Sequence, residues 1–270
     1  MNKKGFKPRG LVGLVLAGGE SRRYGSPKAL ARIGGETFLE KAYSKVSRAT
    51  GYACIVLRDP SGDLLDLSRS ISDCIVYDRN LPCQGPLRGL ASSLKAVQAG
   101  YYLYVPVDYP LLEASTLENL ASFVIDGGFL GGTVLLWSGY LASSIGVLSR
   151  GALGFVDRIC SVKGRRAGLS DLYRVRGMAL VGWSVVASSP AEFSNVNRPG
   201  EFAGEDAPRI DDIVRIDHGF FVDALRYWES DPSRARRFLV REASYYRSRG
   251  LGLLYKRVIG DLAVVLDGTS

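Results

Sequence analysis

Chemistry is most legible in 14-LVLAGGESRRYGSPKAL-30, where an apolar run leads straight into Gly18-Gly19 and is followed by Arg23, Gly25 and Lys28. Glycine has no Cβ, so its backbone N–H groups can approach a ligand closely. Successive N–H groups in a turn cradle an anion. Arginine and lysine then neutralise phosphate, one as a planar fork and the other as a point charge. These residue types at this spacing suit a triphosphate. Asp108 ends another apolar run and is followed by Tyr109-Pro110. A carboxylate there is a hard oxygen donor of the kind Mg²⁺ takes together with phosphate oxygens. Asp78 follows a third apolar run, Arg165-Arg166 lie in the basic stretch 161-SVKGRRAGLSD-171, and Asn195 and Asn197 precede Pro199.

The chain has one histidine, His218, read as structural. Its four cysteines, Cys54, Cys74, Cys83 and Cys160, form no C-x-x-C pair, which argues against a Cys/His zinc site. Cys54 and Cys74 sit inside apolar runs and read as small core residues. Cysteine usage is taken to fit a reducing cytoplasm.

The elements that must position these residues follow from periodicity. Leu11–Ala17, Ala53–Leu57, Cys74–Tyr77, Tyr101–Val107, Thr133–Trp137 and Ser144–Leu148 read as strands. Thr37–Ala49, with Gly51 as its cap, and Pro86–Ala99 have helical spacing. Ser115 and Glu118 form a capping-box pattern for a helix to about Asp126, and Gly151–Cys160 is a weaker helix. Strands alternating with helices predict an α/β fold, a Rossmann-like, mostly parallel sheet flanked by helices. Ligands of such sheets bind beyond the carboxyl ends of the strands. The loops 18–28, 78–89 and 108–110 all follow strands and can converge there.

Residues 205–270 differ in character. Phe221, Leu225 and Trp228 share one helical face, Asp231-Pro232 starts a second helix, and Leu251, Leu254, Val258 and Leu262 mark a third. The chain therefore divides into a main domain, 1–204, and a small helical C-terminal extension, 205–270. The extension is expected to dock on the main domain or on a second copy, burying Phe221, Leu225, Trp228, Leu239 and Leu254. It could then cover the acceptor side or recruit a partner.

Formal net charge is +8, and residues 205–270 hold 11 basic and 11 acidic residues, so residues 1–204 carry the whole excess. That balance points to anionic partners. Nucleic acid would rest on charge alone and is not expected. No apolar run approaches the roughly 20 residues of a membrane span, so no membrane association is expected. MNKKGFKPRG followed by LVGLVLA mimics a signal peptide. The apolar part is short and is followed by ESRRYGSPK, so secretion is not expected.

From Leu16 to Lys28 the pattern is L-A-G-G-x-S-x-R-x-G-x-x-K. It resembles the signature of nucleotidyltransferases with a Rossmann-like sheet. Within them the chain is most similar to the molybdenum cofactor guanylyltransferases. Gly85-Pro86-Leu87-Arg88-Gly89 resembles their G-P-L-x-G loop, Asp108-Tyr109-Pro110 their D-x-P metal motif, Gly164-Arg165-Arg166 a basic substrate loop, and Asn195-Val196-Asn197-Arg198-Pro199 their closing N-V-N-x-P. The resemblance runs over residues 11–204. Gly18-Gly19, in place of Ala-Gly, looks like the guanylyl branch rather than the cytidylyl one.

The resemblance implies an enzyme that transfers GMP from GTP to a phosphorylated acceptor, the molybdopterin cofactor, with Mg²⁺ bound and pyrophosphate released. Leu16, Ala17, Gly18, Gly19, Arg23, Gly25 and Lys28, with Asp78, Gly85, Pro86, Leu87 and Asp108, would hold the nucleotide. Asp78 would face the guanine edge. Arg23, Lys28 and Asp108 would act in catalysis, Asp108 and Asn197 would hold the metal, and Arg165, Arg166 and Asn195 would hold the acceptor. A molybdoenzyme or another cofactor-biosynthesis protein is a further implied partner. One departure bears on the acceptor. Family members often carry His-Pro near residue 144, and 138-SGYLASSIGVL-148 has neither. A cobinamide-phosphate guanylyltransferase, a cytidylyltransferase and a non-catalytic nucleotide-binding regulator therefore stay open as alternatives.

Overall fold

A computed structural model of the chain describes residues 10–18, 27–58, 62–195 and 208–267. Side chains alternate along a strand. In β1 (Leu11–Leu16), Leu14 and Leu16 enter one apolar cluster while Leu11 and Val15 enter another, and all four are buried. A strand apolar on both sides requires cover on both faces.

Eight strands form one sheet in the order β10-β9-β7-β8-β6-β1-β4-β5. Beside β1 these are β4 (Ala53–Leu57), β5 (Ile75–Tyr77), β6 (Tyr101–Pro106), β7 (Gly131–Leu135), β8 (Leu141–Ser149), β9 (Met178–Gly182) and β10 (Ile213–Arg215). The short strands β2 (Arg32–Ile33) and β3 (Glu36–Thr37) pair separately. Only β8 and β10 oppose the common direction, so the sheet is mostly parallel, as expected. The carboxyl ends of β1, β4, β5, β6 and β7 share one edge. β8 runs the other way, so its start, and the β7–β8 loop before it, lie at that same edge.

One face is covered by α1 (Phe38–Thr50), α2 (Gly62–Ile71), α4 (Ala114–Asp126) and α7 (Trp183–Val186), which bury Leu39, Leu64, Leu117 and Val186. The other carries α3 (Gly85–Ala96), α5 (Leu153–Lys163), α6 (Leu169–Leu172), α8 (Phe220–Tyr227), α9 (Pro232–Ser248) and α10 (Gly252–Asp267). The three C-terminal helices share the apolar cluster of α3 and α5, so they dock on their own chain. Phe221, Leu225, Trp228, Leu239 and Leu254 are all buried there. Asp231 starts α9 with its side chain accepting from the Arg234 amide at 2.9 Å. Strand β10, which the sequence pattern does not announce, joins this segment to the sheet edge. The division drawn after Gly204 lies outside the described residues.

Three sequence expectations are corrected. First, α4 has no Ser115–Glu118 capping box; it starts at Ala114 with Glu113 as N-cap. The buried Glu192 carboxylate accepts from the Glu113 amide at 3.1 Å and from Thr116 Oγ1, so a distant acid satisfies the helix start. Second, the basic stretch 161–171, which the sequence reads as a loop, is mostly helical. α5 runs to Lys163, a tight turn spans Gly164–Arg166, and α6 follows. Third, the cysteines are not free thiols. Cys54 is bonded to Cys74, tying β4 to the start of β5, and Cys83 to Cys160, tying the segment before α3 to α5. Each pair is distant in sequence and has no motif; the sheet and the α3–α5 packing bring the partners together.

Between the main fold and the C-terminal helices lies a buried ion cluster. Arg174 donates to both carboxylate oxygens of Glu242 at 2.8 Å and to Asp171 and Asp261 at 2.9 and 2.6 Å. Lys163 reaches the same two aspartates at 2.8 Å. The Arg174 guanidinium also lies 3.7 Å from the centre of the Phe221 ring. Burial would raise the Asp171 carboxyl, but Lys163, Arg174 and Arg257 hold it well below the carboxylate range. Burial lowers Lys163 against the pull of Asp171. Among the described residues no helix is long and apolar enough to cross a membrane.

Candidate active site

The site is built at the carboxyl edge of the sheet. β1 ends at Leu16 and the chain continues through Ala17 to Gly18; Leu16 and Ala17 are buried. A Cβ on Gly18 would stand 2.9 Å from Arg58 Cβ and 3.0 Å from the Arg58 amide nitrogen, so only glycine lets the chain leave β1 this close to the end of β4. Gly19, Arg23 and Gly25 lie outside the described residues. The chain returns at Pro27, and a short helical turn, Lys28–Leu30, anchors on buried Ala29.

This turn places Lys28 beside the end of the neighbouring strand β6. Lys28 Nζ lies 3.2 Å from Asp108 Oδ1, with the two side chains 11% and 34% exposed. The turn carrying Asp108 is pinned on three sides. Val107 N donates to Leu16 O at 3.4 Å, Lys45 Nζ of α1 donates to Pro110 O at 2.7 Å, and Tyr109 Oη is 3.0 Å from Ser144 Oγ of β8. Burial lowers the Lys45 ammonium, with Glu113 and Glu192 pulling it back. Burial raises the Tyr109 phenol, which the Ser144 hydrogen bond partly offsets. Lys45 and Ser144 are positioning residues that no motif marks. A lysine on the inner half of an otherwise apolar helix face is the only signal for Lys45.

Asp78 follows β5 and is mostly buried. Its Oδ2 accepts from Arg88 Nε at 3.0 Å, and its amide donates to Leu57 O. Arg88 stands one turn into α3, whose first residues are Gly85, Pro86 and the fully buried Leu87. A Cβ on Gly89 would come 3.1 Å from Asp78 Oδ1, so this glycine leaves room for the carboxylate. The Arg79 amide donates to Ser92 Oγ at 2.9 Å, which fixes the loop on α3. Sequence reasoning singled out Asp78 but not its partner Arg88.

Arg165 and Arg166 form the tight turn after α5, and both side chains are exposed. The turn is joined to the Asp78–Gly85 loop by Gln84 Nε2, which donates to Arg165 O at 3.1 Å. Asn195 is exposed at the end of a described stretch that Glu192 anchors against α4, and Asn197 lies outside the described residues. The structure therefore brings Lys28 to Asp108 and the arginine turn to the Asp78 loop.

Among the described residues no group of three or more His, Cys, Asp or Glu side chains could enclose a metal. A divalent ion here would be held by Asp108 with phosphate oxygens, the mode Mg²⁺ favours. Asp108 suits this: it is part exposed at the strand ends, with Lys28 Nζ 3.2 Å from its Oδ1.

Residues 13–131 match the family described as the MobA-like NTP transferase domain. A probable molybdenum cofactor guanylyltransferase from Geobacillus sp. (strain WCH70) is 28% identical over 206 residues, which cover 76% of this chain and 98% of that protein. The protein of that name from Bacillus subtilis (strain 168) is 27% identical over 194 residues, covering 71% and 92%. Among solved structures, a nucleotidyl transferase from Methanothermobacter thermautotroptrophicus is similar in fold, with a TM-score of 0.50 at 16% identity, covering 70% of this chain and 92% of that one. Over residues 13–131 the chain is therefore similar to the MobA-like NTP transferase domain.

Proposed function

We propose that the chain transfers GMP from GTP to the phosphate of molybdopterin. The observation that carries this reading is the Lys28–Asp108 pair at adjacent strand ends, with the glycine turn of β1 beside it. The names of the relatives supply the acceptor and the base.

In this reading an oxygen of the acceptor phosphate attacks the α-phosphorus of GTP. The new P–O bond forms as the bond to the β-phosphate oxygen breaks, and pyrophosphate leaves with that oxygen. An ionised phosphate is already a nucleophile, so the step needs no histidine base and no covalent enzyme intermediate. Catalysis then rests on positioning and charge stabilisation. Lys28, with Arg23, neutralises charge on the departing pyrophosphate. Mg²⁺, held by Asp108 and Asn197, would supply a Lewis acid to the phosphate oxygens. Asp78 accepts from guanine N1–H and the 2-amino group. A carboxylate has about four acceptor sites, and Arg88 takes one of them on Oδ2. Arg165 and Arg166 hold the acceptor phosphate.

The test is pyrophosphate release with each of the four nucleoside triphosphates, with and without molybdopterin. Release that requires both GTP and molybdopterin supports the reading. Release with another triphosphate alone, or indifference to molybdopterin, refutes it.

A further inference from the structure

The C-terminal helices reach the carboxyl edge of the sheet at two separate points. At the first, the α9–α10 turn lies against the β7–β8 loop. A Cβ on Gly139 would stand 2.0 Å from the carbonyl oxygen of Gly250 and 2.5 Å from the amide nitrogen of Gly252, so the two backbones meet where only glycine fits. Beside this contact Lys256 Nζ is 5.7 Å from the centre of the Tyr140 ring, and both side chains are exposed.

At the second point, Arg257 donates from Nη2 to Arg166 O at 2.9 Å and pairs with Asp171 Oδ2 at 2.5 Å. The same Asp171 oxygen accepts from the Gly168 amide at 2.9 Å. Arg257 and Asp171 thus clamp the arginine turn from its far end, while Gln84 holds its near end. The backbone of Gly164–Arg166 is fixed and its two arginine side chains stay exposed. Asp171 in turn belongs to the buried ion cluster that contains Glu242 and Asp261. The clamp is therefore anchored in the core and not merely laid on the surface.

We propose that the α9–α10 segment is the outer wall of the acceptor half of the site. Arg257 is a positioning residue for the Arg165–Arg166 turn, and Lys256 adds a cation for an acceptor that carries phosphate. This inference rests on the nucleotidyl-transfer reading above. It assigns to residues of the C-terminal segment a role in acceptor recognition and none in triphosphate binding, since the contacts run to the arginine turn and the β7–β8 loop and not to Lys28 or Asp108.

The experiment uses the full chain and varies acceptor and GTP separately in wild type, Arg257→Ala, Arg257→Lys and Lys256→Ala. Arg257→Ala and Lys256→Ala should each raise KM for the acceptor about tenfold, the effect of losing one hydrogen bond or contact to a charged group. KM for GTP should stay near the wild-type value, and Arg257→Lys should recover part of the loss. Hydrogen exchange at the Ala167 and Gly168 amides should quicken in Arg257→Ala while that of β1 and α3 is unchanged. Parallel rises in both KM values, or an unchanged acceptor KM in an active enzyme, would overturn the proposal. A turn that exchanges no faster in Arg257→Ala overturns the clamp whatever the activity. A wild-type chain that transfers nothing to any acceptor overturns the proposed function itself.

Discussion

Lys28 and Asp108 come together at 3.2 Å although one follows β1 and the other β6. Parallel pairing of those strands sets the meeting, since Leu16 is in register with Pro106. In the proposed reading the pair keeps a cation and a carboxylate beside the phosphates of the triphosphate. Lys28→Ala should lower kcat by on the order of 10²–10³, as expected for losing one preorganised charge contact in the transition state. Arg23→Ala should act in the same direction. Steady-state kinetics at saturating GTP checks both, and normal turnover in either variant removes that residue from catalysis.

Asp78 is held by Arg88 against α3. Asp78→Asn replaces an acceptor-only group by one that also donates. A base edge rich in donors should then lose its advantage. The kcat/KM ratio of GTP to ATP should fall by roughly tenfold or more, because a mismatched buried polar group carries its desolvation cost. Equal use of ATP and GTP by wild type would remove Asp78 from base recognition.

Glu242 takes two hydrogen bonds from Arg174, and both residues are fully buried. Glu242→Ala leaves the guanidinium short of a partner, and removing one member of a buried pair costs about 3–5 kcal/mol. Chemical denaturation should show that loss. A change below about 1 kcal/mol, as for a surface pair, would mean that the cluster is solvated.

His218 is stacked against Phe220 and packed edge-on to Tyr245 and Tyr246. Burial pushes its imidazole down to about 4, with Asp217 opposing and Arg249 and Arg174 reinforcing. The unfolded chain therefore takes up this proton first, near its usual 6.5. Stability from neutral His218 is complete above that value and is lost as pH falls toward 4. Asp171, held below the carboxylate range, adds a loss only at still lower pH. His218→Phe should flatten the melting temperature between pH 6.5 and 4.5. The chain has one histidine, so a single imidazole NMR signal reports the titration. A midpoint near 6.5 in the folded protein would contradict the burial.

Local pattern carried the sheet strands β1, β4 and β6, the helices α1 and α3 and the three C-terminal helices, because each has an apolar period or a glycine or proline boundary. The placement of Asp78 and Asp108 at strand ends was legible because each follows an apolar run. What the pattern missed depends on distant partners. Glu192 satisfies the start of α4 from 79 residues away in sequence, and Lys45 and Ser144 pin a turn they do not adjoin. Nothing in the pattern marked Lys163, Asp171 and Arg174 as a buried cluster, because their counter-charges, Glu242 and Asp261, lie in the C-terminal helices. The cysteine pairs were hidden for the same reason: sheet neighbours and helix neighbours, not spacing, decide them.

The most direct measurement follows the α-phosphate. Wild type is given GTP labelled at that position, Mg²⁺ and molybdopterin, and Asp108→Asn is run alongside. The account predicts label in the acceptor, one pyrophosphate per product, and loss of nearly all transfer in the variant. Label that never reaches the acceptor, or equal transfer by Asp108→Asn, would contradict it.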